Sequence, residues 1–333
     1  MREWLYEAGI GETRAALIED GMIVAAAIEA DDDGVRAGTI ASARLSRIVI
    51  PGRRAIVTLD SGEEALIEPV PGGVSEGARL LVEIHRAALP EPGRAKLAIA
   101  RRAAADAVAA DAPALIDRIR ASGESVRLLQ AHQPDALEAA GWSELIEEAA
   151  TGQADFEGGG LRLSLTPAMS LIDVDGWLEP AALAVAGAAA AARMILRHGI
   201  TGSIGIDLPT AGSKAARQAA ADAVDAILPP PFERTAVNGF GFLQIVRRRA
   251  APSLPERVQG DPAGAAARAL LRRAERTPGA GTRTLTAAPA VIALIERRED
   301  WRAELARRTG APIALRADAG LAISAGHADA KNP

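Results

Sequence analysis

The sequence predicts a multidomain protein of the α+β and α/β classes, with a small β-barrel near the N-terminus and a small α/β domain at the C-terminus. Three observations support this prediction. Five short strand-like runs follow one another over residues 38–101. Two apolar strand-like runs, residues 158–176 and 203–208, enclose a long alanine-rich segment. Helical and strand-like segments then alternate over residues 261–330, and 333 residues suffice for two or three cores.

The composition excludes several classes of site. The chain has no cysteine, which excludes disulfides, Cys-ligated zinc and iron–sulfur clusters. A net charge of −5 argues against electrostatic binding of nucleic acid over the whole surface but leaves local basic patches open. The first residues lack the pattern of a signal peptide, and no apolar run reaches the roughly 18 residues of a membrane helix. We therefore expect a cytoplasmic protein that does not contact the membrane.

The N-terminal third reads as strands. Residues 12–30 form two strand-like runs joined at Glu19, Asp20 and Gly21, which is a hairpin-turn signal. The five runs that follow predict a closed barrel of the OB type over residues 37–101. Turn signals separate them at residues 51–52, 60–62, 71–73 and 90–93.

The predicted barrel carries clustered arginines but no aromatic side chain. Arg44 and Arg47, with Arg53 and Arg54, would give it a basic rim that contacts RNA. The alternative is an ordinary solvated face. Because OB barrels that bind single strands stack bases on aromatic rings, contact here would be electrostatic and weak.

The middle of the chain changes to a helical pattern. Apolar spacing predicts a helix over residues 102–121 that breaks at Pro113. A strand at 125–132 and helices at 134–141 and 142–151 follow. Residues 179–199 predict a long helix that ends at His198 and Gly199.

Two aspartates are the candidate site. Asp173 and Asp207 end strand-like runs on either side of the long helix, and this strand–helix–strand order predicts parallel neighbouring strands. Ligands of such sheets bind at the carboxyl ends of the strands. Paired carboxylates there would hold Mg²⁺ or Mn²⁺, with Asp175 as a third ligand or a neighbour of the ligands. The alternative is that the aspartates only cap turns or helices.

Basic residues downstream are candidate phosphate contacts. Residues 208–228 predict a loop and a helix, with Thr210 or Ser213 as N-cap and Lys214 in the first turn, where anions are favoured. A strand predicted at 234–249 ends in Arg247, Arg248 and Arg249, which bind phosphate or are simply solvated. A linker over 252–261 precedes helices at 263–276 and 289–310 and strands at 282–287, 312–317 and 321–325.

These motifs, in this order, resemble the bacterial ribonuclease E/G family over nearly the full length. The family signature runs Gly-Gly, a strand, Thr-Glu-Ala-Leu/Met and Ile/Val-Asp-Ile/Val-Asn, and residues 158–176 read GGGLRLSLTPAMSLIDVDG. The family's second aspartate lies in Gly-Leu-Ile-Val-Ile-Asp-Phe, which is similar to SIGIDL at 203–208. Its Gly-Leu-Leu-Glu-Met-Thr-Arg-Lys-Arg stretch is similar to GFGFLQIVRRRAAPSL at 239–254.

The resemblance implies a fold and an activity. Residues 1–36 and 102–157 would form an RNase H-like piece, 158–260 a DNase I-like catalytic subdomain, and 261–330 the small C-terminal domain. Asp173 and Asp207 would hold Mg²⁺, and Asp175 stands where the family has asparagine. The implied activity is endonucleolytic hydrolysis of single-stranded RNA that leaves 5′-phosphate ends.

Departures from the family limit what is carried over. The zinc-link cysteines are missing, so a homodimer would not be bridged by zinc. The 5′-monophosphate sensor would fall between residues 101 and 114, which is too short for it, so we expect no 5′-end sensing. A catalytically weakened RNA-binding paralogue, or an adaptor that contacts another protein, is the alternative.

Overall fold

The computed structural model describes residues 2–90 and 95–330, and within these ranges it contains three β-sheets and a closed β-barrel. The predicted mixed α+β multidomain class is thus confirmed. The chain divides into two compact units. The terminal unit contains Met1–Asp32, Ile119–Ala150 and Arg257–Pro333, and the central unit contains Asp33–Arg118 and Thr151–Glu256. The turn predicted at residues 90–93 lies, apart from Pro90, outside the described residues.

The strands are β1 (Arg2–Ala8), β2 (Glu12–Glu19), β3 (Met22–Ala30), β4 (Ile40–Ile50), β5 (Arg54–Leu59), β6 (Glu64–Ile67), β7 (Arg79–Arg86), β8 (Ala98–Arg102), β9 (Ser125–Leu128), β10 (Gln153–Phe156), β11 (Gly159–Leu165), β12 (Ser170–Gly176), β13 (Gly202–Asp207), β14 (Phe232–Arg234), β15 (Phe242–Arg247), β16 (Arg283–Ala287), β17 (Ile313–Ala317) and β18 (His327–Ala330). The helices are α1 (Leu115–Arg120), α2 (Ala136–Ala139), α3 (Trp142–Thr151), α4 (Pro180–Arg197), α5 (Lys214–Asp225), α6 (Leu254–Gly260), α7 (Pro262–Arg276), α8 (Pro289–Arg297) and α9 (Glu299–Thr309).

The terminal unit contains two small sheets. The first has the order β3-β2-β1-β9, in which β1 pairs antiparallel with β2 and parallel with β9. The predicted hairpin is confirmed: Asp20 and Gly21 have φ values of 50° and 82°, as a turn with two left-handed residues requires. The second sheet, β17-β16-β18, packs with α7, α8 and α9 around a core that includes Leu271, Ile295 and Trp301.

A buried ionic network also stabilises the terminal unit. Glu7, only 6% exposed, accepts hydrogen bonds from Arg14 at 2.5 Å, Arg272 at 2.7 Å and Arg276 at 2.5 Å. Asp135 accepts a further bond from Arg272 at 2.6 Å. Burial alone would raise the pKa of Glu7, but the three arginines outweigh it and hold the pKa at about 2.

The barrel of the central unit has the strand order β4-β5-β6-β8-β7 and closes between β4 and β7. The five predicted strands are confirmed. Neighbours run antiparallel except β6 and β8, which are parallel. Leu45, Val57, Ile67 and Ile84 fill the interior and have no exposed surface.

The second part of the central unit is a six-stranded sheet in the order β10-β11-β12-β13-β15-β14. The parallel pairing predicted across the long helix is confirmed, because β12 and β13 are parallel. Helices α4 and α5 cover one face of this sheet. A Cβ atom on Gly187 of α4 would lie 2.3 Å from Val174, so glycine permits the close approach of helix and strand.

Helix α4 is also the one helix, in the part of the chain that the structure describes, whose length and apolar composition would suffice to cross a membrane. Half of the apolar stretch is buried inside the protein, and its alanines belong to the core of the central unit. A core helix passes the same test of length and composition.

Two elements differ from the sequence prediction because of contacts that the local pattern does not show. The helix predicted over 102–121 is reduced to α1, because the backbone of Ala110 pairs with Ile40 at the barrel. The linker predicted over 252–261 is largely helix α6, where Ser253 and Glu256 cap each other's backbone N–H groups.

Three strand or helix boundaries also differ. The strand predicted at 234–249 begins only at Phe242, and the helix predicted at 289–310 is interrupted at Arg298. The last strand lies at His327–Ala330 rather than at 321–325, since it pairs antiparallel with β16.

Candidate metal centre

Asp173 and Asp207 lie side by side on neighbouring strands. They are register partners in the parallel pairing of β12 and β13. Adjacent strands are about 4.8 Å apart, and register partners project from the same face of a sheet. Ile172 and Ile206, which precede the two aspartates, have no exposed surface and belong to the face covered by the helices. The carboxylates therefore share the opposite face.

The sequence predicts that both aspartates end their strands, and the structure confirms this for Asp207 but not for Asp173. Asp207 is the last residue of β13, as expected for a carboxyl-end ligand. Asp173 lies in the middle of β12, which continues for three more residues in its pairing with β11. Asp207 and Asp175 are exposed to solvent, and Asp173 is partly exposed. An ion or a phosphate in solution can thus reach all three side chains.

The three aspartates place several negative charges close together. Burial raises the pKa of Asp173 above the ordinary value of aspartic acid, and the charges of Asp175 and Asp207 raise it further. The backbone N–H of Val174 and the charge of Arg162 offset this only in part. A divalent cation between the carboxylates would remove the repulsion that now disfavours ionisation of Asp173.

The donor set fits a hard cation that keeps part of its water shell. Mg²⁺ is commonly bound by one or two carboxylates, with water and substrate phosphate oxygens as its other ligands. Within residues 2–90 and 95–330, no group of three or more His, Cys, Asp or Glu side chains has the arrangement of a protein-built metal cage. Asp173 and Asp207, as register partners, are the residues that could supply the protein ligands, and Asp175 lies two residues from Asp173 on the same strand.

Arg162 is a further candidate site residue, which the sequence pattern alone does not identify. It lies on β11 as the register partner of Asp173, and it is exposed. Its position follows from the hairpin register of β11 and β12, which a turn stabilised by the Thr166 hydroxyl establishes. The alternation of Leu161, Arg162 and Leu163 indicates an arginine that faces away from the core. Only the register shows which residue of the neighbouring strand lies beside it.

Lys214 lies at the same edge of the sheet as Asp207. It is exposed and is the first residue of α5, which follows β13 after a short loop. Of the two candidate N-caps, Ser213 fills the role and accepts a hydrogen bond from the backbone N–H of Ala216 at 3.1 Å. Thr210 instead donates to the carbonyl of Phe240 at 3.4 Å.

The structure does not bring Arg247, Arg248 and Arg249 to the aspartates. Arg247 pairs with Gly202, at the end of β13 opposite Asp207, roughly 17 Å away along the strand. It donates to the carbonyl of Ile200 at 3.0 Å, and burial lowers its pKa. Arg249 is ion-paired with Glu256, whereas Arg248 is exposed. A phosphate bound next to the aspartate pair is thus beyond the reach of this cluster.

Arg44 and Arg47 lie on β4 of the barrel. Both are exposed, while Ala43 and Leu45 point into the barrel interior. Arg44 has Arg79 of β7 as its register partner, so the predicted basic cluster extends to the next strand. Arg79 also lies 3.6 Å from Asp60, which partly neutralises it.

Comparison of the chain with models of known protein families, and with curated proteins, finds no match.

Proposed function

We propose that the chain is a Mg²⁺-dependent endoribonuclease that hydrolyses phosphodiester bonds in single-stranded RNA, as its resemblance to the ribonuclease E/G family implies. The observation that supports this most directly is the register pairing of Asp173 and Asp207 on one solvent-open face. Two like charges at adjacent positions of a sheet are unfavourable for stability, and a cation that binds between them gives the arrangement a purpose.

In this proposal the acidic residues of the site bind the metal ion and the basic residues bind the phosphate backbone. Asp173 and Asp207 would hold the ion, and Mn²⁺ would serve in place of Mg²⁺. When bound, the ion supplies an activated water and neutralises charge on the phosphodiester. Arg162, beside Asp173, and Lys214, at the N-terminus of α5, would attract the phosphate backbone and position it. Because the site faces solvent along a sheet, it would accept an internal stretch of RNA.

The fold supports the resemblance without depending on any one motif. The strand order of the barrel, 1-2-3-5-4 with its third and fifth strands parallel, suits an OB-type barrel, which is a common binder of oligonucleotides. We propose that the sheet carrying the aspartates corresponds to the family's DNase I-like subdomain, and the N-terminal sheet to its RNase H-like piece. We expect the protein to act in the cytoplasm, as a monomer or as a homodimer without a zinc bridge.

A second candidate is an RNA-binding paralogue with weakened catalysis, or an adaptor. It is favoured by the observation that Arg247 and Arg249 are engaged by protein groups and lie far from the aspartates. The RNA-binding paralogue would share the RNA surface of the nuclease and differ from it in turnover, whereas the adaptor would contact another protein.

Cleavage of an unstructured RNA, with Mg²⁺ and with EDTA, tests the proposal. We expect cleavage only with Mg²⁺, loss of cleavage in Asp173→Asn, and retention in Glu233→Gln, a carboxylate on the same face at the far end of the sheet. RNA with a 5′-monophosphate and RNA with a 5′-triphosphate should be cut equally. Cleavage that survives Asp173→Asn would refute the assignment, and RNA binding without any cleavage would favour the second candidate.

A further inference from the structure

Two aromatic rings are exposed at the edge of the sheet where Asp207 lies. The chain has four tryptophans, four phenylalanines and one tyrosine, all within the described residues. Among these, Trp177 and Phe240 stand out as exposed, with 80% and 85% of their surface accessible. Large aromatic side chains normally bury their surface, so two in one place need a reason.

Trp177 follows β12 directly and is held in place by its backbone. Its N–H donates to the carbonyl of Gly158 at 3.1 Å. The next residue, Leu178, packs against Gly158, where an added Cβ would lie 2.3 Å from the leucine side chain. Glu179 then caps α4 through the backbone N–H of Ala181 at 3.0 Å. The segment is therefore tied on both sides of an indole that projects into solvent.

Phe240 precedes β15 and is held in a similar way. Its N–H donates to the Asn238 side chain at 2.9 Å, and its carbonyl accepts a hydrogen bond from Thr210. Gly241 has φ 97°, and its carbonyl accepts the N–H of Leu208, the residue after Asp207. The loop is thus fastened to the end of β13, and only the ring is left without protein contacts that bury it.

The two rings lie on either side of the strand that carries Asp207. β12 and β15 are the two neighbours of β13, so these strands are two strand spacings, or about 10 Å, apart. Trp177 lies four residues beyond Asp173 along the chain, and Phe240 lies two residues before Phe242, the register partner of Asp207, so both residues lie past the aspartates at this end of the sheet. A short stretch of extended single-stranded RNA that passes the aspartates can bring bases on both sides of the bound phosphodiester toward the two rings. The faces of bases stack on exposed aromatic rings with little regard to sequence.

We propose that Trp177 and Phe240 are stacking platforms that receive the bases flanking the phosphodiester presented to Asp173 and Asp207. This inference rests on the proposed nuclease function for its choice of ligand, single-stranded RNA. It supplies at the sheet edge the aromatic surface that the barrel lacks, since residues 38–90 and 95–101 contain no aromatic residue. Selectivity for unpaired RNA follows, because bases within a duplex cannot stack on these rings.

The test measures binding in EDTA, so that it does not depend on cleavage. Fluorescence anisotropy of labelled oligoadenylate should show Kd values about 5- to 150-fold higher for Trp177→Ala and for Phe240→Ala than for the native chain. The ring-preserving variant Trp177→Phe should stay within about threefold, because a π-face remains. Val246→Ala, an exposed apolar residue on the aspartate face at the opposite end of the sheet, should bind like the native chain.

An abasic strand with the same phosphates identifies the partner of the rings. The two alanine variants should bind this strand as well as the native chain does. An equal loss on both strands, unchanged binding of oligoadenylate, or no binding by the native chain would overturn the inference. Cleavage by the same variants with Mg²⁺ is recorded separately. If the native chain binds oligoadenylate through the two rings but does not cleave RNA, only the proposed nuclease function is refuted. If it cleaves RNA and the ring variants bind as well as the native chain, only the proposed stacking role is refuted.

Discussion

Replacing Asp207 by asparagine should affect stability and metal binding in opposite directions. The substitution keeps the shape of the side chain and removes one of two negative charges at paired positions. At a separation of about 5 Å, two unit charges in water repel each other by about 0.8 kcal/mol, and salt reduces this further. Without metal, we therefore expect Asp207→Asn to be up to about 0.8 kcal/mol more stable than the native chain at pH 7.

Mg²⁺ should reverse that order. For a site with a Kd of about 1 mM, roughly 10 mM Mg²⁺ adds about 1.4 kcal/mol to the stability of the native chain. If the variant binds about a hundredfold more weakly, its gain is below about 0.1 kcal/mol. The native chain then becomes the more stable protein by about 0.5 kcal/mol. If the two aspartates had only a structural role, Mg²⁺ would not reverse the order of stability of the native chain and the variant. Removal of such a carboxylate destabilises the protein with or without metal.

The assay is thermal unfolding with and without Mg²⁺. For a unit of roughly 190 residues, 1 kcal/mol corresponds to about 2–4 °C, so both differences are measurable. Glu233→Gln makes the same chemical change on the same face at the far end of the sheet, and its response to Mg²⁺ should equal that of the native chain. If Mg²⁺ leaves the order of native chain and Asp207→Asn unchanged, the aspartate pair is not a metal site.

Two further variants test the remaining electrostatics. Asp175→Asn removes a charge that raises the pKa of Asp173, so Asp173 should stay ionised to lower pH. The pH below which Mg²⁺ no longer stabilises the protein should therefore fall in this variant. An unchanged pH limit in thermal unfolding would contradict this. Arg272→Leu leaves Glu7 with fewer partners and should destabilise the terminal unit by about 3 kcal/mol, whereas the exposed Arg307→Leu should change stability by less than about 0.5 kcal/mol. Because the pKa of Glu7 is depressed to about 2, its contribution is complete above its unfolded pKa and is lost as pH falls toward 2, so unfolding free energies of the native chain and of Arg272→Leu should converge in acid.

The sequence by itself determined the elements whose signal is local. The hairpin at Asp20 and Gly21, the five barrel strands and the long helix α4 are all present where turn residues and apolar periodicity predict them. The strand–helix–strand order also sufficed to predict the parallel pairing of β12 and β13. Since that pairing carries Asp173 and Asp207, the centre of the candidate site could be inferred from the residues alone.

Register and long-range pairing were decided only by the tertiary structure. Arg162 becomes a neighbour of Asp173 through the hairpin register of β11, which depends on the exact turn at Thr166. Arg247 is removed from the site because β15 runs antiparallel to β13, so the end of one strand meets the start of the other. Residues near Ala110 are drawn from a helical pattern into a bridge with the barrel. In the last two cases a partner distant in sequence satisfies backbone hydrogen bonds, and in the first the exact turn sets the register. Local periodicity carries no information about either.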